Sequence, residues 1–201
     1  MYLPVTGASM LMLCLAGAEL TCYLQRVAGE RRAEAEQIER NELNAVERQR
    51  SFNRMWQELA DSRGSDAVPT TVMAELQLLF SANLVAAWHA DGVRGFRLAG
   101  LHPASDDVKV RLERIAQMSP CFDKLRQTQQ LICASNLELD TSKAFAWFCD
   151  DNGYQHVILC PVLVRHDLVG ALGFFYEDKP CTASRTTEEM QSAANLFLCA
   201  F

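Results

Sequence analysis

The stretch GYQHVILCPVLVRHDLVGALGFFYED, Gly153 to Asp178, holds two long apolar runs joined by the short polar segment Arg165 to Asp167. Each run has strand length and is rich in aliphatic or aromatic residues, so together they predict an antiparallel hairpin. A hairpin this apolar is not stable alone in water. It requires further strands beside it and helices over it, which places a sheet at the centre of any fold this chain adopts. One residue breaks the pattern: His156 stands at the entrance to the first run, where its neighbours are aliphatic.

The rest of the chain supplies the cover. TTVMAELQLLFSAN puts Val72, Leu76, Leu79 and Phe80 at helical spacing, with Thr70 or Thr71 as N-cap. LVAAWHAD and RGFRLAGL read as two strands turning at Asp91 and Gly92, a dipeptide suited to the positive φ of a tight turn. SDDVKVRLERIAQM sets Val108, Leu112, Ile115 and Met118 on one helical face, with Ser105 as cap and Asp106 and Asp107 against the positive helix end. After Pro120 come a short helix from Cys121 to Gln129, a strand in LICASNL, and a helix in DTSKAFAWFCDDNG that Gly153 ends. The hairpin follows, and SRTTEEMQSAANLFLCAF closes the chain as a helix with Met190, Ala194, Phe197 and Leu198 on one face. The order is helix, two strands, helices, strand, helix, two strands, helix. It excludes a doubly wound parallel sheet, which needs strict alternation, and predicts an α+β fold with a central antiparallel sheet flanked by helices.

Two segments precede this domain, which is expected over residues 66–201. Residues 1–24 carry Glu19 as their only charged side chain, and their length approaches that of a membrane span. A central Glu costs on the order of 2 kcal/mol or more in a bilayer, so a membrane anchor and an apolar helix end packed on a partner chain both stand open. If the segment inserts, Arg26, Arg31 and Arg32 hold the rest of the chain on the cytoplasmic side, tethered to the inner membrane. Residues 25–63 hold eight Arg, eight Asp or Glu, no Lys and no Pro, which reads as a long solvated helix. Leu24, Val27, Ile38, Ala45, Phe52, Met55 and Leu59 fall on a heptad track that Arg31, Glu34, Asn41 and Arg48 interrupt. A dimeric coiled coil, weak in its middle, is the expectation. SRGSDAVP then reads as a loop.

The net charge of −6 leaves no basic footprint for nucleic acid. Eight cysteines lie without a CxxC pair, several of them inside apolar runs, which reads as reduced, buried thiols in a cytoplasmic compartment. Cys121 and Cys133 are the one pair kept as a disulfide candidate. The histidines His89, His102, His156 and His166 show no metal-ligand spacing, and no phosphate loop, kinase signature or nucleophile elbow occurs.

The hairpin resembles the GAF family of sensory domains, relatives of the PAS fold found in bacterial signalling proteins and phosphodiesterases. The resemblance rests on Gly153, a residue three positions on at His156, VILCP ending at Pro161, the polar turn VRHD, and the strand LVGALGF. The preceding helix, the LICASNL strand and the terminal helix fall where the family has them, so the likeness spans roughly Asp66 to Phe201. It implies a GAF-like sheet with the first and last helices on one face and a small-molecule pocket on the other. The implied pocket lining is Trp88, Phe96, Leu98, Ser135, Phe145, Phe148, Tyr154, His156 and Ile158. His156 departs from the family, where Ser is common, and an imidazole there could meet an anion or a purine, or sense protons.

Specialised members of the family are disfavoured by the letters. The cyclic-nucleotide signature is missing, and Cys149 sits too close to Gly153 and beside Asp150 for bilin attachment. Reduction of free methionine sulfoxide would need reactive thiolates among Cys121, Cys133, Cys149 and Cys160, which lie in apolar runs or beside acids. The resemblance therefore implies a non-enzymatic regulatory sensor that binds an unidentified small ligand. It would act as a homodimer through its N- and C-terminal helices, signalling to an output domain or to a protein in trans. A ligand-free dimerisation scaffold is the alternative, and large side chains filling the pocket would favour it. No cofactor is assigned.

Overall fold

The computed structural model describes residues 5–62, 67–92, 95–135, 143–178 and 184–197; the side chains of residues 5–22, 24, 134–135, 143–144 and 184–186 lie outside the described set. The chain divides into two units, Met1–Gln49 and Arg50–Phe201.

Helix α1 runs over Val5–Asp61. Within the first unit, residues 25–49 are exposed except for half-buried Val27. That solvated face agrees with the even mixture of Arg and Glu. The anchor expected in residues 1–24 falls almost wholly on side chains outside the described residues. Among the described residues no helix is long and apolar enough to cross a membrane.

In the second unit, α2 (Thr70–Phe80), β1 (Leu84–Asp91), β2 (Gly95–His102), α3 (Asp106–Met118), α4 (Pro120–Thr128), β3 (Ile132–Ser135), α5 (Lys143–Asn152), β4 (His156–Val164), β5 (Asp167–Tyr176) and α6 (Ser184–Leu196) follow in the predicted order. The strands form one antiparallel sheet in the order β2-β1-β5-β4-β3, with the Gly153–Asp178 hairpin supplying the two long strands next to one another. The fold is α+β.

Local chemistry explains most of the boundaries. Gly153, at φ +75°, ends α5, and the chain leaves it through the bond from Tyr154 N to Cys149 O at 2.8 Å. The hydroxyl of Ser119 accepts from Cys121 N at 3.3 Å, and Pro120 occupies the first turn of α4. Other expected caps differ. Pro69, not a threonine, precedes α2, while the Thr71 hydroxyl donates instead to Glu58 of α1. Ser105 stands at the N-cap of α3 but makes no side-chain cap bond. The turn between β1 and β2 is also longer than expected, because Asp91 stays in the ladder opposite Gly95.

The sheet carries a core on each face. On one lie Val72, Met73, Leu76 and Phe80 of α2, Met190, Ala193 and Ala194 of α6, and Met55 and Leu59 of α1, with Phe52 packed against them. The end of the heptad track is therefore spent inside the domain, and the compact unit begins at Arg50, ahead of the boundary expected at residue 66. The hydroxyl of Tyr176 donates to Phe80 O at 3.3 Å, and Gln191 of α6 donates to Pro161 O of β4 at 2.8 Å. On the other face lie α3, α4 and α5.

Candidate functional site

The face under α3, α4 and α5 is where the expected pocket residues were to meet. Alternation along the strands sends Trp88 of β1, Phe96 and Leu98 of β2, and Phe175 of β5 to this side, where Phe122 of α4 and Phe145 and Phe148 of α5 close over them. All seven are buried. The rings form a connected chain: Trp88 to Phe122 at 5.1 Å, Phe122 to Phe96 at 4.8 Å and to Phe145 at 6.4 Å, then Phe145 to Phe175 at 6.0 Å. Phe148 and half-buried Tyr154 continue it at 5.8 and 5.6 Å from Phe175. Most of these pairs are edge-to-face, an arrangement that contributes about 0.5–1.5 kcal/mol per pair beyond area burial. Arg111 of α3 closes the outer side, its guanidinium 5.5 Å from the centre of the Phe148 ring and bonded to Asp151 of α5.

Among the described residues, these rings pack directly on one another between the sheet and the helices. Among the described residues the Nε1–H of Trp88 has no acceptor, although the residue is fully buried. A buried donor left unpaired costs about 1–3 kcal/mol.

Of the nine residues expected in the pocket, Trp88, Phe96, Leu98, Phe145, Phe148 and Tyr154 share this face. Ile158 does not: it belongs to the opposite core, under α2 and α6. His156 goes with it by strand alternation, paired across the ladder with Tyr176 of that same core, and it is half-buried. This corrects the orientation expected for both. Ser135 pairs in register with His156, and its side chain lies outside the described residues. Phe122 and Phe175 join the aromatic chain at its centre and were not anticipated. The FF pair in β5 held the signal for Phe175, since neighbouring strand residues face opposite sides.

Cys121, Cys133, Cys149 and Cys160 are free thiols, so Cys121 and Cys133 do not form the disulfide kept as a candidate from the sequence. Burial pushes the Cys149 thiol up to about 12, with neighbouring Asp150 adding to it. Burial also raises Cys121, and Cys160 still further; Cys133 is exposed, unlike the buried thiol expected from its apolar run, and partial desolvation raises it. No group of His, Cys, Asp and Glu that could hold a metal ion occurs among the described residues.

No protein-family model and no curated protein matches the sequence. Solved structures do match the fold. The phycocyanobilin-bound GAF domain from a cyanobacterial phytochrome is 11% identical with a TM-score of 0.56, over 76% of this chain and 92% of that one. A GAF domain/HD domain protein from Geobacter sulfurreducens is 16% identical with a TM-score of 0.55, over 71% of this chain and 95% of that one. Free methionine-R-sulfoxide reductase from Neisseria meningitidis, in complex with its substrate, is 12% identical with a TM-score of 0.55, over 74% of this chain and 87% of that one. The fold is GAF-like.

Proposed function

We propose that the chain is a regulatory module of a signalling protein, in which the side of the sheet under α3, α4 and α5 serves as a fixed aromatic packing. In this reading the module works by self-association through its helices, passing a change in helix pairing to an output domain or a protein in trans. The observation that carries the reading is the chain of rings from Trp88 to Tyr154, packed on one another between the sheet and α3, α4 and α5. The apolar residues left exposed on α1, Ile38, Leu43 and Val46, give self-association a surface. Sedimentation equilibrium and native mass spectrometry of protein purified from its own cell test both parts. A dimer with the mass of two chains and nothing added is expected. A retained small molecule overturns the fixed packing, and a monomer at every concentration overturns the self-association.

One observation favours a ligand-binding sensor as the second reading. The unpartnered Trp88 indole N–H would suit a flat apolar molecule with one hydrogen-bond acceptor, admitted when α5 shifts. A visible absorption band or a mass increment lost in Trp88→Phe would support it. The thiol reductase reading draws no support from the four raised thiols, because the thiolate is the reactive form. Turnover of free methionine sulfoxide by the unmodified protein would restore it.

A further inference from the structure

We propose that the seam between the end of α1 and α2 is a proton-operated latch: Glu75, set between Arg54 and Glu58, holds residues 50–61 on the domain when protonated and loosens them when ionised. These turns of α1 lie wholly within the second unit, where Met55 and Leu59 seat them in the core. Two polar pairs tie the helices side by side. The Thr71 hydroxyl donates to Glu58, and Arg54 Nε donates to Glu75 Oε1 at 2.8 Å. From the first pair to the second is one turn back along α1 and one turn forward along α2, so the two helices run antiparallel.

The pairing at Glu75 is unequal. The Arg54 side chain is 60% exposed, so water screens its attraction. Oε2 of Glu75, by contrast, is buried and has no partner among the described residues. A carboxylate so placed pays for lost hydration on the side where nothing replaces it, and a proton removes that cost together with the repulsion from Glu58.

Other charges surround the seam without entering this balance. Glu75 is the one titratable residue of α2, and the docked turns of α1 add Arg50 and Asp61. Beneath α2, the ladder of β1 and β2 turns His89, Arg97 and His102 to the same side of the sheet, β5 brings Tyr176, whose hydroxyl donates to Phe80 O, and α6 carries Glu188 and Glu189. The carboxyl of Glu75 is governed first by burial, which raises it, then by Arg54, which opposes, and then by Glu58, which adds. Release of α1 returns Glu75 to water and to the ordinary carboxyl value of 4.5. Docking therefore takes up a proton: the grip on α1 is firmest below that value and weakens as pH rises through the raised, docked one.

Amide hydrogen exchange of the full chain, read by mass spectrometry between about pH 4 and pH 7 and corrected for intrinsic rates, tests the latch. Protection at residues 50–61 should fall as pH rises, relative to that of β4 and β5 in the same samples. Glu75→Gln should keep it high throughout. Arg54→Gln should move the midpoint of the change to higher pH and Glu58→Gln to lower pH, opposite shifts that a merely structural contact would not produce. Thermal melting checks that each variant is folded, and any one of the three suffices for the comparison. Protection at 50–61 that ignores pH overturns the proposal, as does a pH response that survives Glu75→Gln or a midpoint that moves against either expected direction. A response that scales with protein concentration belongs to self-association and also overturns the latch, whereas a chain that is monomeric throughout leaves it intact.

Discussion

The indole of Trp88 on β1 lies over Gly173 on β5 so closely that a Cβ built at Gly173 would stand 2.7 Å from Cζ3 and 2.9 Å from Cη2. The glycine is what allows the ring to lie down on the sheet, where it meets Phe122. Gly173→Ala therefore pushes a methyl into a rigid ring, with Leu159 Cδ2 3.2 Å away on the other side. Urea unfolding should show a loss of about 1–3 kcal/mol. Combining it with Trp88→Phe should recover part of that loss, because the smaller ring leaves room, and a double-mutant cycle measures the coupling.

Neighbouring aromatics on α5 separate burial from residue type. Phe145 is fully buried and touches Phe122 and Phe175, whereas Trp147, two residues on, is 63% exposed. Phe145→Ala should cost about 3–5 kcal/mol through lost transfer energy and a residual cavity. Trp147→Ala should stay within about 0.5 kcal/mol of the parent. Equal losses from the two would contradict the packing described for α5.

Glu75 of α2 gives a pH signature. Its carboxyl is held above the ordinary 4.5, chiefly by burial, while Arg54 opposes and Glu58 adds to the shift. Its Oε1 accepts from Arg54 Nε at 2.8 Å, and among the described residues its buried Oε2 has no partner. Because the folded value is raised, this group favours folding most below its unfolded pKa, and the contribution is lost as pH rises through the folded one. Glu75→Gln should gain stability relative to the parent at neutral pH, with the gap closing as pH falls toward 4.5 and below. Chemical unfolding across that interval checks the sign; a gap that widens on acidification would refute it.

The turn between β4 and β5 places two residues other than glycine in left-handed conformations, Arg165 at φ 48° and His166 at φ 77°. Such residues carry a cost of about 1–2 kcal/mol each. His166→Gly relieves one of them, less the added freedom of the unfolded chain, and should stabilise by about 0.5–1 kcal/mol. The bond from Gln129 Nε2 to the His166 carbonyl, 2.6 Å, uses the backbone and survives the change. A higher urea midpoint with an unchanged slope is the expected result.

Element order was legible in the sequence because its signals are local: amphipathic spacing in α2, α3 and α6, the glycine after α5, and the apolar hairpin itself. The two sides of that hairpin were not. From Val157 to Val162 both faces of β4 are buried, so the period-2 signal that tells inside from outside is absent. The family resemblance implied the pocket side for His156 and Ile158, and packing puts Ile158 under α2 and α6. The domain boundary slipped for a different cause. Arg and Glu dominate through residue 63, while Met55 and Leu59, which are sparse in composition, lie in the core. The ring packing could be anticipated only as an abundance of aromatic residues. That they join end to end depends on Phe122 and Phe175, contributed by elements far apart along the chain.

The seating of Trp88 also has an optical consequence. The protein holds three tryptophans, and they occupy different surroundings: Trp88 is sealed among phenylalanines, while Trp56 and Trp147 are 49% and 63% exposed. Emission from Trp88 should fall at the blue end of the indole range, and aqueous quenchers that dim the other two should leave it bright. The aromatic core thus carries its own lamp, whose colour and shielding report any molecule that enters or any water that accompanies it.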